Sequence, residues 1–446
     1  MTDAFLNNSE IASARAFMEK ALEAGAQKCR VTVSKSVMDL VGVLDGQVDK
    51  ITHSMDRAVT LAIFADGRFG TFSTNKFEEG VEDFVKKAME TVRMMAPDEC
   101  RDLPDPSRTE KDSEDIKVCD TPAYESMTME LRIRKALEGS VFGTNPDIVS
   151  EEAEYSDTLT DLCIMDSNGL FCRQSECTFD FANEITVKDA DAKVSAYWWD
   201  AARSPLKLDT AAVGRKALKD ALDKRDAKEC AGGKMAMVVD YESASRLLAP
   251  VLSAMNGFAI QQNNSFLADK LGQKCFPDFL NITERPREEG AYGSRLFDSE
   301  GISAREMPLV SNGVLKNWFV NTYISKKMGI SSTVDDASRP VVASTTAKGC
   351  KELLEDCLKG LAGGNNGTVL VTGFNGGNCN SATGDFSFGA EGFYYGPDGS
   401  FPVRELVITG NMLELWNNLV AVGNDARPCR PRVVPTLVFK DVDFNS

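Results

Sequence analysis

The sequence predicts an α+β protein, with two related mixed α/β segments followed by a larger β-rich C-terminal domain. Three observations support this fold class. At 446 residues the chain is too long for one ordinary core. Helical and alternating patterns follow each other in similar order in the first two segments, whereas the last segment is rich in strands and glycine. We therefore predict domains over residues 1–110, 111–228 and 229–446.

The first segment begins with a predicted helix over about 10–24, where apolar residues recur at helical spacing. Strand-like runs follow, with a turn at Gly46 and a hairpin turn at Asp66 and Gly67. Asn75 and Glu78 have the spacing of a capping box, so we expect a second helix to begin at Asn75. Residues 96–122 are rich in proline and acidic residues and are predicted to form a linker.

The second segment repeats a helix, strands and a turn-marked hairpin, and an old duplication would explain this. Convergence on one stable layer arrangement explains the likeness almost as well. We predict a helix over 124–141, strands from about 150, a hairpin turn at 167–169, and a helix over 210–222 capped by Asp209.

The third segment is predicted to begin with a strand at 235–239 and a helix over 241–258. The glycine-rich sequence over 373–399 predicts a sheet with tight turns. A closing strand is predicted over 434–442. The inward face of the helix is predicted to consist of Leu247, Leu248, Val251, Leu252 and Met255.

Composition excludes several kinds of site. His53 is the only histidine in the chain, which removes most catalytic designs that depend on imidazole. The net charge of −17 and the lack of a basic run argue against direct nucleic-acid binding. No apolar stretch is long enough to span a membrane, and the N-terminal residues do not resemble a signal peptide. Twelve cysteines without a C-x-x-C pair indicate reduced thiols and a cytoplasmic protein.

Few residues are candidates for catalysis or binding. Asp385 and Ser387 lie close in sequence, but a hydroxyl needs a base to become a nucleophile, and capping of a turn explains both residues better. Cys379 has no imidazole nearby in sequence, and a lone His53 is more typical of a surface or turn position. The glycine-rich run 373–378 lacks the pattern of a phosphate-binding loop and is more typical of turns or close backbone contact.

The C-terminal third resembles the PmbA/TldE branch of the TldD/PmbA family, whose members are often named modulators of DNA gyrase. The resemblance rests on TGDFSFGAEG at 383–392, VRELVITGN at 403–411 and VGND at 422–425. DGRFG at 66–70 and STN at 73–75 fit as well, so that it covers essentially the whole chain. Within these motifs we predict binding roles for Asp385, Ser387 and Asn411, and leave the catalytic residues unknown.

The resemblance implies a cytosolic peptidase built from paired subunits. A TldD-type subunit carries an HExxxH metal motif on a helix, and a TldE/PmbA-type subunit lacks it and completes the assembly. Substrates would be unfolded or ribosomally made peptides. The likeness thus implies a heterodimer with a histidine-bearing TldD-type subunit, with a homodimer as the state of the chain alone. Zinc is expected only in the partner, and no cofactor or metal is expected in this chain.

The metal motif would fall near residues 247–255. If the leucines align, Ala249, Pro250 and Ala254 occupy the positions of His, Glu and His. None of these side chains can bind zinc or polarise a water molecule.

Three functions follow, in order of preference. The first is the non-metal subunit of a two-component metallopeptidase, with extended peptides added to the edges of strands in the third segment. The second is a self-sufficient non-metal hydrolase using Ser387, Cys379 or Asp385. The third is a non-enzymatic peptide-binding or regulatory protein.

Overall fold

The computed structural model describes residues 4–77, 79–111, 114–363, 367–397 and 399–445. The described part of its N-terminal half contains six strands and five α-helices. In chain order these elements are α1 (Asn8–Glu23), β1 (Lys28–Leu44), β2 (Gln47–Ala65), β3 (Arg68–Thr74), α2 (Val81–Met94), α3 (Thr121–Ser126), α4 (Met129–Glu138), β4 (Ile148–Asp166), β5 (Phe171–Asp189), β6 (Ala192–Ala202) and α5 (Thr210–Asp223).

The C-terminal half contains shorter helices and two sheets. Its elements are β7 (Gly233–Val239), α6 (Ser245–Ala254), α7 (Gly257–Gln261), β8 (Ile282–Glu284), β9 (Met307–Ser311), β10 (Val314–Leu315), α8 (Thr322–Met328), β11 (Pro340–Val342), α9 (Cys350–Leu358), β12 (Thr368–Cys379), β13 (Asp385–Gly396), β14 (Gly399–Asn411), α10 (Met412–Asn417), β15 (Leu419–Val422) and β16 (Leu437–Asn445).

One antiparallel sheet joins the first two predicted segments. Its strand order is β3-β2-β1-β4-β5-β6, so each segment contributes three strands and the two meet at β1 and β4. That central pairing runs from Arg30 opposite Asp166 to Leu44 opposite Glu152. Helices α1 and α2 pack on the first half, α5 packs on β5 and β6 of the second half, and α4 packs across the central strands β1 and β4. The α+β class is confirmed, whereas the domain boundaries at 110 and 228 stay predictions.

The C-terminal half is organised around a closed sheet. Strands β14, β13, β12, β7 and β16 pair in that order, and β14 pairs again with β16, which closes the ring. β15 pairs with the first residues of β16, whereas β14 pairs with its last residues. β10, β9, β8 and β11 form a separate four-stranded sheet. Apolar side chains of the ring, α6 and the smaller sheet form one large core, which fixes α6 against the ring.

Several turns and helix caps predicted from local sequence are confirmed by the structure. Asp66 and Gly67 both have positive φ, at 52° and 67°, and join β2 to β3 as a hairpin turn. The side chain of Asp209 accepts a hydrogen bond from the Ala212 N–H at 2.9 Å and caps α5. The predicted inward residues of α6 and the following turn are all buried.

Three predicted helices were wrong in extent. The second helix begins at Val81 with Gly80 at its cap, not at Asn75, and Glu78 lies outside the described residues. The helix predicted over 124–141 is broken at Thr128, whose hydroxyl caps α4 by accepting from the Leu131 N–H at 3.2 Å. The helix predicted over 241–258 is α6 and α7, because Asn256 caps the second helix and ends the first.

Two further findings concern the cysteines and the length of the helices. All twelve cysteines lie in the described residues and none of them forms a disulfide. Among the described residues, no helix combines the length and the apolar character needed to cross a membrane.

Candidate functional site

A groove lies between α6 and the far end of β12, with a volume of about 270 Å³. One face of α6 forms its first wall, because Arg246, Ala249, Pro250, Ser253 and Ala254 recur at helical spacing. The opposite face of α6 is buried in the C-terminal core. The helix is therefore fixed in place while one stripe of it lines the groove.

The second wall of the groove is the backbone of β12. Strand β7 pairs with β12 only from Thr368 to Val371. Beyond that point β12 pairs with β13 on one side, and no strand of the described residues lies along its other side. Gly377, Asn378 and Cys379, from this second half of β12, line the groove.

A β-bulge shapes the strand at the groove. The register between β12 and β13 shifts between Asn375 and Asn378, where Gly376 and Gly377 have φ of 72° and 80°. The carbonyl oxygens of both glycines accept hydrogen bonds from the Arg246 guanidinium of α6 at 3.2 Å. A Cβ on Gly377 would lie 2.1 Å from the Ser387 carbonyl oxygen. The close backbone contact predicted for the glycine-rich run is thus confirmed.

Aromatic rings close the rest of the groove. The Arg246 guanidinium lies 5.0 Å from the centroid of the Phe388 ring, which stacks on Phe386 at 5.2 Å. Phe266 lines the other end, and its N–H donates to the Ser381 carbonyl oxygen at 2.9 Å. The groove therefore offers apolar walls and main-chain polar groups, the composition typical of a site that binds an extended peptide.

Cys379 is the only thiol among the residues that line this groove. Burial and then the nearby charge of Asp385 raise the pKa of the Cys379 thiol above its ordinary value. The thiol form is favoured over the thiolate, which is the nucleophilic form. This environment does not activate Cys379 for the self-sufficient hydrolase considered as the second function.

Asp385 and Asn411 lie beside the groove and bind each other across β13 and β14. The Asn411 amide donates to Asp385 Oδ1 at 3.0 Å and to the Thr383 carbonyl oxygen at 2.9 Å. The Thr383 hydroxyl donates to Asp385 Oδ2 at 2.7 Å. The hydrogen bonds from Asn411 and Thr383 lower the pKa of the exposed Asp385 carboxyl. These contacts hold the turn between β12 and β13 against the start of α10.

Ser387 follows two residues later on β13 and lies opposite Thr409 of β14. It is exposed, and its carbonyl oxygen is the atom that Gly377 approaches. The structure thus brings Asp385 and Asn411 together and places Ser387 next to the bulge. The binding roles of all three residues stay predictions.

His53 lies in β2 of the N-terminal sheet, whereas the groove is formed by residues of the C-terminal half. Its Nδ1 is 2.8 Å from Asp39 Oδ1 on the neighbouring strand, and 58% of its side chain is exposed. The surface position predicted for it is correct, but it is in a strand and not in a turn.

Sequence reasoning did not single out Arg246, Phe266 or Phe388. Arg246 precedes Ala249 by three residues on the predicted helix, so its place on the same face was open to prediction. Nothing in the local sequence indicates that this face lies against carbonyl groups 130 residues later.

The comparisons with known proteins agree over nearly the full chain. Residues 232–446 match a family model described as PmbA/TldA metallopeptidase C-terminal domain, and residues 29–92 match PmbA/TldA metallopeptidase domain 1. A solved structure from Bacteroides thetaiotaomicron, a candidate modulator of DNA gyrase, is 35% identical, has a TM-score of 0.93 and is covered over 99% of both chains. The chain belongs to the PmbA/TldD family.

Two further matches have lower sequence identity. Metalloprotease PmbA of Escherichia coli O157:H7 is 24% identical over 428 residues, which cover 94% of this chain and 93% of that protein. The crystal structure of TldE from Thermococcus kodakarensis has a TM-score of 0.83 at 17% identity, covers 97% of this chain and 100% of that chain, and shows a common fold.

The family is described as a metallopeptidase family, so we tested whether the groove residues of α6 could bind a metal ion. Ala249, Pro250 and Ala254, the residues expected at the positions of His, Glu and His if the leucines align, all line the groove. The methyl group of alanine and the ring carbons of proline have no lone pair to offer a metal ion, and the proline nitrogen is part of an amide. Within the described ranges, no group of three or more His, Cys, Asp or Glu side chains is arranged to hold one. The residues present do not fit a zinc site here.

Proposed function

We propose that this chain is the metal-free subunit of a two-component cytosolic metallopeptidase that acts on unfolded or ribosomally made peptides. In this proposal the chain binds peptide in the groove between α6 and β12. A histidine-bearing TldD-type subunit supplies the zinc site and the chemistry. The two chains form a heterodimer that encloses the substrate.

One observation carries the proposal: the helix stripe that faces the groove is Ala249, Pro250 and Ala254 in a chain of a metallopeptidase family. The chain has a groove at this helix, while apolar side chains occupy the positions where the resemblance would place metal ligands. Such a groove can bind substrate, but the chain needs a partner for hydrolysis.

The strand edge supports peptide as the ligand. An extended peptide can add to the second half of β12, where main-chain groups give affinity with little sequence selectivity. This edge is short, because β7 covers the first half of the strand. Recognition through main-chain groups suits a peptidase that accepts unfolded segments of many sequences.

The test is a reconstitution with the purified histidine-bearing subunit. We expect cleavage of an unfolded peptide only when both chains are present, loss of cleavage with a chelator, and stoichiometric zinc only in the partner. Chelator-resistant cleavage by this chain alone would favour the self-sufficient hydrolase instead. A mixture that binds peptide but never cleaves it would favour the non-enzymatic binding protein.

A matched pair of variants tests the groove itself. Ser253→Trp places a large side chain in the groove from an exposed position on α6, and Lys351→Trp places one at an exposed position on α9. We expect the first variant to raise the KM of the reconstituted enzyme for peptide about tenfold or more, the equivalent of about 1.4 kcal/mol of lost binding. The second should leave KM unchanged, and equal values for both would count against the groove.

A further inference from the structure

The strand β2 has a long edge that no other strand of the described residues covers. It pairs with β1 along its length, but β3 pairs with it only from Val59 to Ala65. Along residues 47–58 no strand of the described part of the chain lies on the other side. Every residue from 47 to 57 is exposed, apart from the half-buried Thr52.

Apolar side chains on this open edge are exposed as well. Val48, Ile51 and Met55 are 38%, 51% and 42% exposed. An open strand of this length with apolar side chains is a template for pairing with a strand of another chain, and proteins normally shorten, cover or charge such edges. The charged residues of this edge do not simply repel a second strand. Acidic and basic side chains both occur, in the order Asp49, Lys50, Asp56 and Arg57.

The order of residues 47–58 is self-complementary. If the strand pairs antiparallel with a copy of itself so that His53 faces His53, Asp49 faces Arg57 and Lys50 faces Asp56. In the same register Ile51 faces Met55. Each pair occurs twice because of the twofold symmetry, which gives four opposite-charge pairs and two apolar pairs. Opposite charges and apolar side chains directly across from each other stabilise a sheet.

Neighbouring registers lose this match. A shift by one residue in one direction places Asp49 opposite Asp56, and a shift in the other direction places Lys50 opposite Arg57. Shifts by two residues place charges opposite neutral side chains. The charge pattern therefore selects one register and disfavours its neighbours.

We propose that β2 is a dimer interface, which pairs antiparallel with β2 of a second copy of this chain around a twofold axis at His53. The two six-stranded sheets then form one continuous sheet of twelve strands across the dimer. The interface is isologous, since the same residues serve both copies. The inference rests on β2 alone and does not depend on the proposed peptidase function.

Lys50 and Asp56 are the residues best suited to a test. Both are exposed, and neither forms an ion pair with the residues that the structure describes. Arg57 is less suitable, because it also binds Glu10 at 3.2 Å and lies 5.0 Å from the Phe77 ring. A change at Lys50 or Asp56 therefore acts on the interface with little effect on the fold.

The experiment measures the dimer dissociation constant of the full chain by analytical ultracentrifugation at low ionic strength. Lys50→Asp turns both Lys–Asp pairs into like-charge pairs, so we expect weakening by about tenfold to a hundredfold. The double variant Lys50→Asp/Asp56→Lys restores opposite charges and should restore the wild-type constant. Lys193→Asp, on the edge strand β6 at the other end of the sheet, is the matched control and should change nothing.

Three outcomes would overturn the inference: a monomeric wild type at all concentrations, a dimer that Lys50→Asp does not weaken, or a double variant that is not rescued. A wild-type chain that is monomeric alone and pairs only with the histidine-bearing subunit would also overturn the inference. Circular dichroism melting checks that each variant is folded.

A second measurement tests the register. His53→Cys places two thiols opposite each other at the proposed axis, within reach of a short bismaleimide cross-linker. We expect peptide mass spectra of the variant to show a link between the two introduced thiols, one from each copy. If these two thiols are never linked to each other while a dimer is present, the proposed register is wrong.

Discussion

The two glycines of the β12 bulge differ in what surrounds them, although both have left-handed φ. A Cβ at Gly376 would have no atom within 4 Å, whereas one at Gly377 would collide with the Ser387 carbonyl oxygen and Phe388 Cα. We expect Gly376→Ala to lower the free energy of unfolding by about 1–2 kcal/mol through backbone strain alone. Gly377→Ala should lower it by about 3 kcal/mol or more, because the bulge must also move.

Urea unfolding of the two variants measures this difference, with the wild type as reference. The comparison is direct because the two substitutions are chemically the same and adjacent in sequence. Equal losses would mean that the backbone contact between Gly377 and Ser387 does not hold the bulge in shape.

Asp240 gives the stability of the protein a pH dependence. The residue follows β7, and its carboxylate accepts a hydrogen bond from the Ser243 N–H at 2.8 Å, in the turn that leads into α6. Burial is the largest cause that raises the pKa of Asp240, to about 6. Because the folded pKa lies above the unfolded value of 3.8, the folded chain binds more protons between these pH values. Stability attributable to this group therefore falls as pH rises from about 4 to about 6.

Asp240→Asn removes the buried charge and keeps an oxygen that can accept the hydrogen bond from Ser243. We expect the variant to be more stable than the wild type by about 1–3 kcal/mol at pH 8 and to show little gain at pH 4. Chemical denaturation at the two pH values measures this. Asp278→Asn, at a carboxylate that is 79% exposed, is the control and should show no such difference. A gain of the same size at both pH values would exclude titration of Asp240 as its cause.

At the level of elements, sequence patterns predicted what depends on near neighbours. The inward stripe of α6, the cap at Asp209 and the turn at Asp66 and Gly67 are set within a few residues, and the structure has all of them. Helix ends were less predictable. Thr128 caps α4 and breaks a helical pattern that apolar spacing alone would continue.

Long-range pairing lay beyond sequence reasoning for a physical reason. Strands β1 and β4 are separated by more than 100 residues, and their register depends on packing against helices from both segments. The same holds for the site. The apolar residues of α6 at the expected motif position and the glycine pair of β12 were each visible in the sequence, but the hydrogen bonds from Arg246 that join the two elements were not.

At the scale of the whole molecule, Arg427 joins the N-terminal sheet to the C-terminal half. Its guanidinium donates to Glu242 at 2.7 Å, and to the Trp199 carbonyl oxygen and Asp200 at 2.7 and 2.9 Å. It also lies within 5 Å of the ring centroids of Trp198 and Trp199, and its side chain is 10% exposed. A planar cation that binds both halves in this way holds the sheet and the closed ring in one orientation.

We expect Arg427→Ala to lower the free energy of unfolding by about 3 kcal/mol, because it removes a largely buried guanidinium and leaves the Glu242 carboxylate, which is 15% exposed, without this partner. Arg427→Lys should recover little, since a lysine cannot make the forked contacts or stack on both rings. Calorimetry should show that the N-terminal sheet and the C-terminal half unfold further apart in temperature in both variants. Arg432→Ala, at an exposed position nearby in sequence, is the control. Full recovery by lysine would mean that charge alone, and not the planar contact with β6, holds the two halves together.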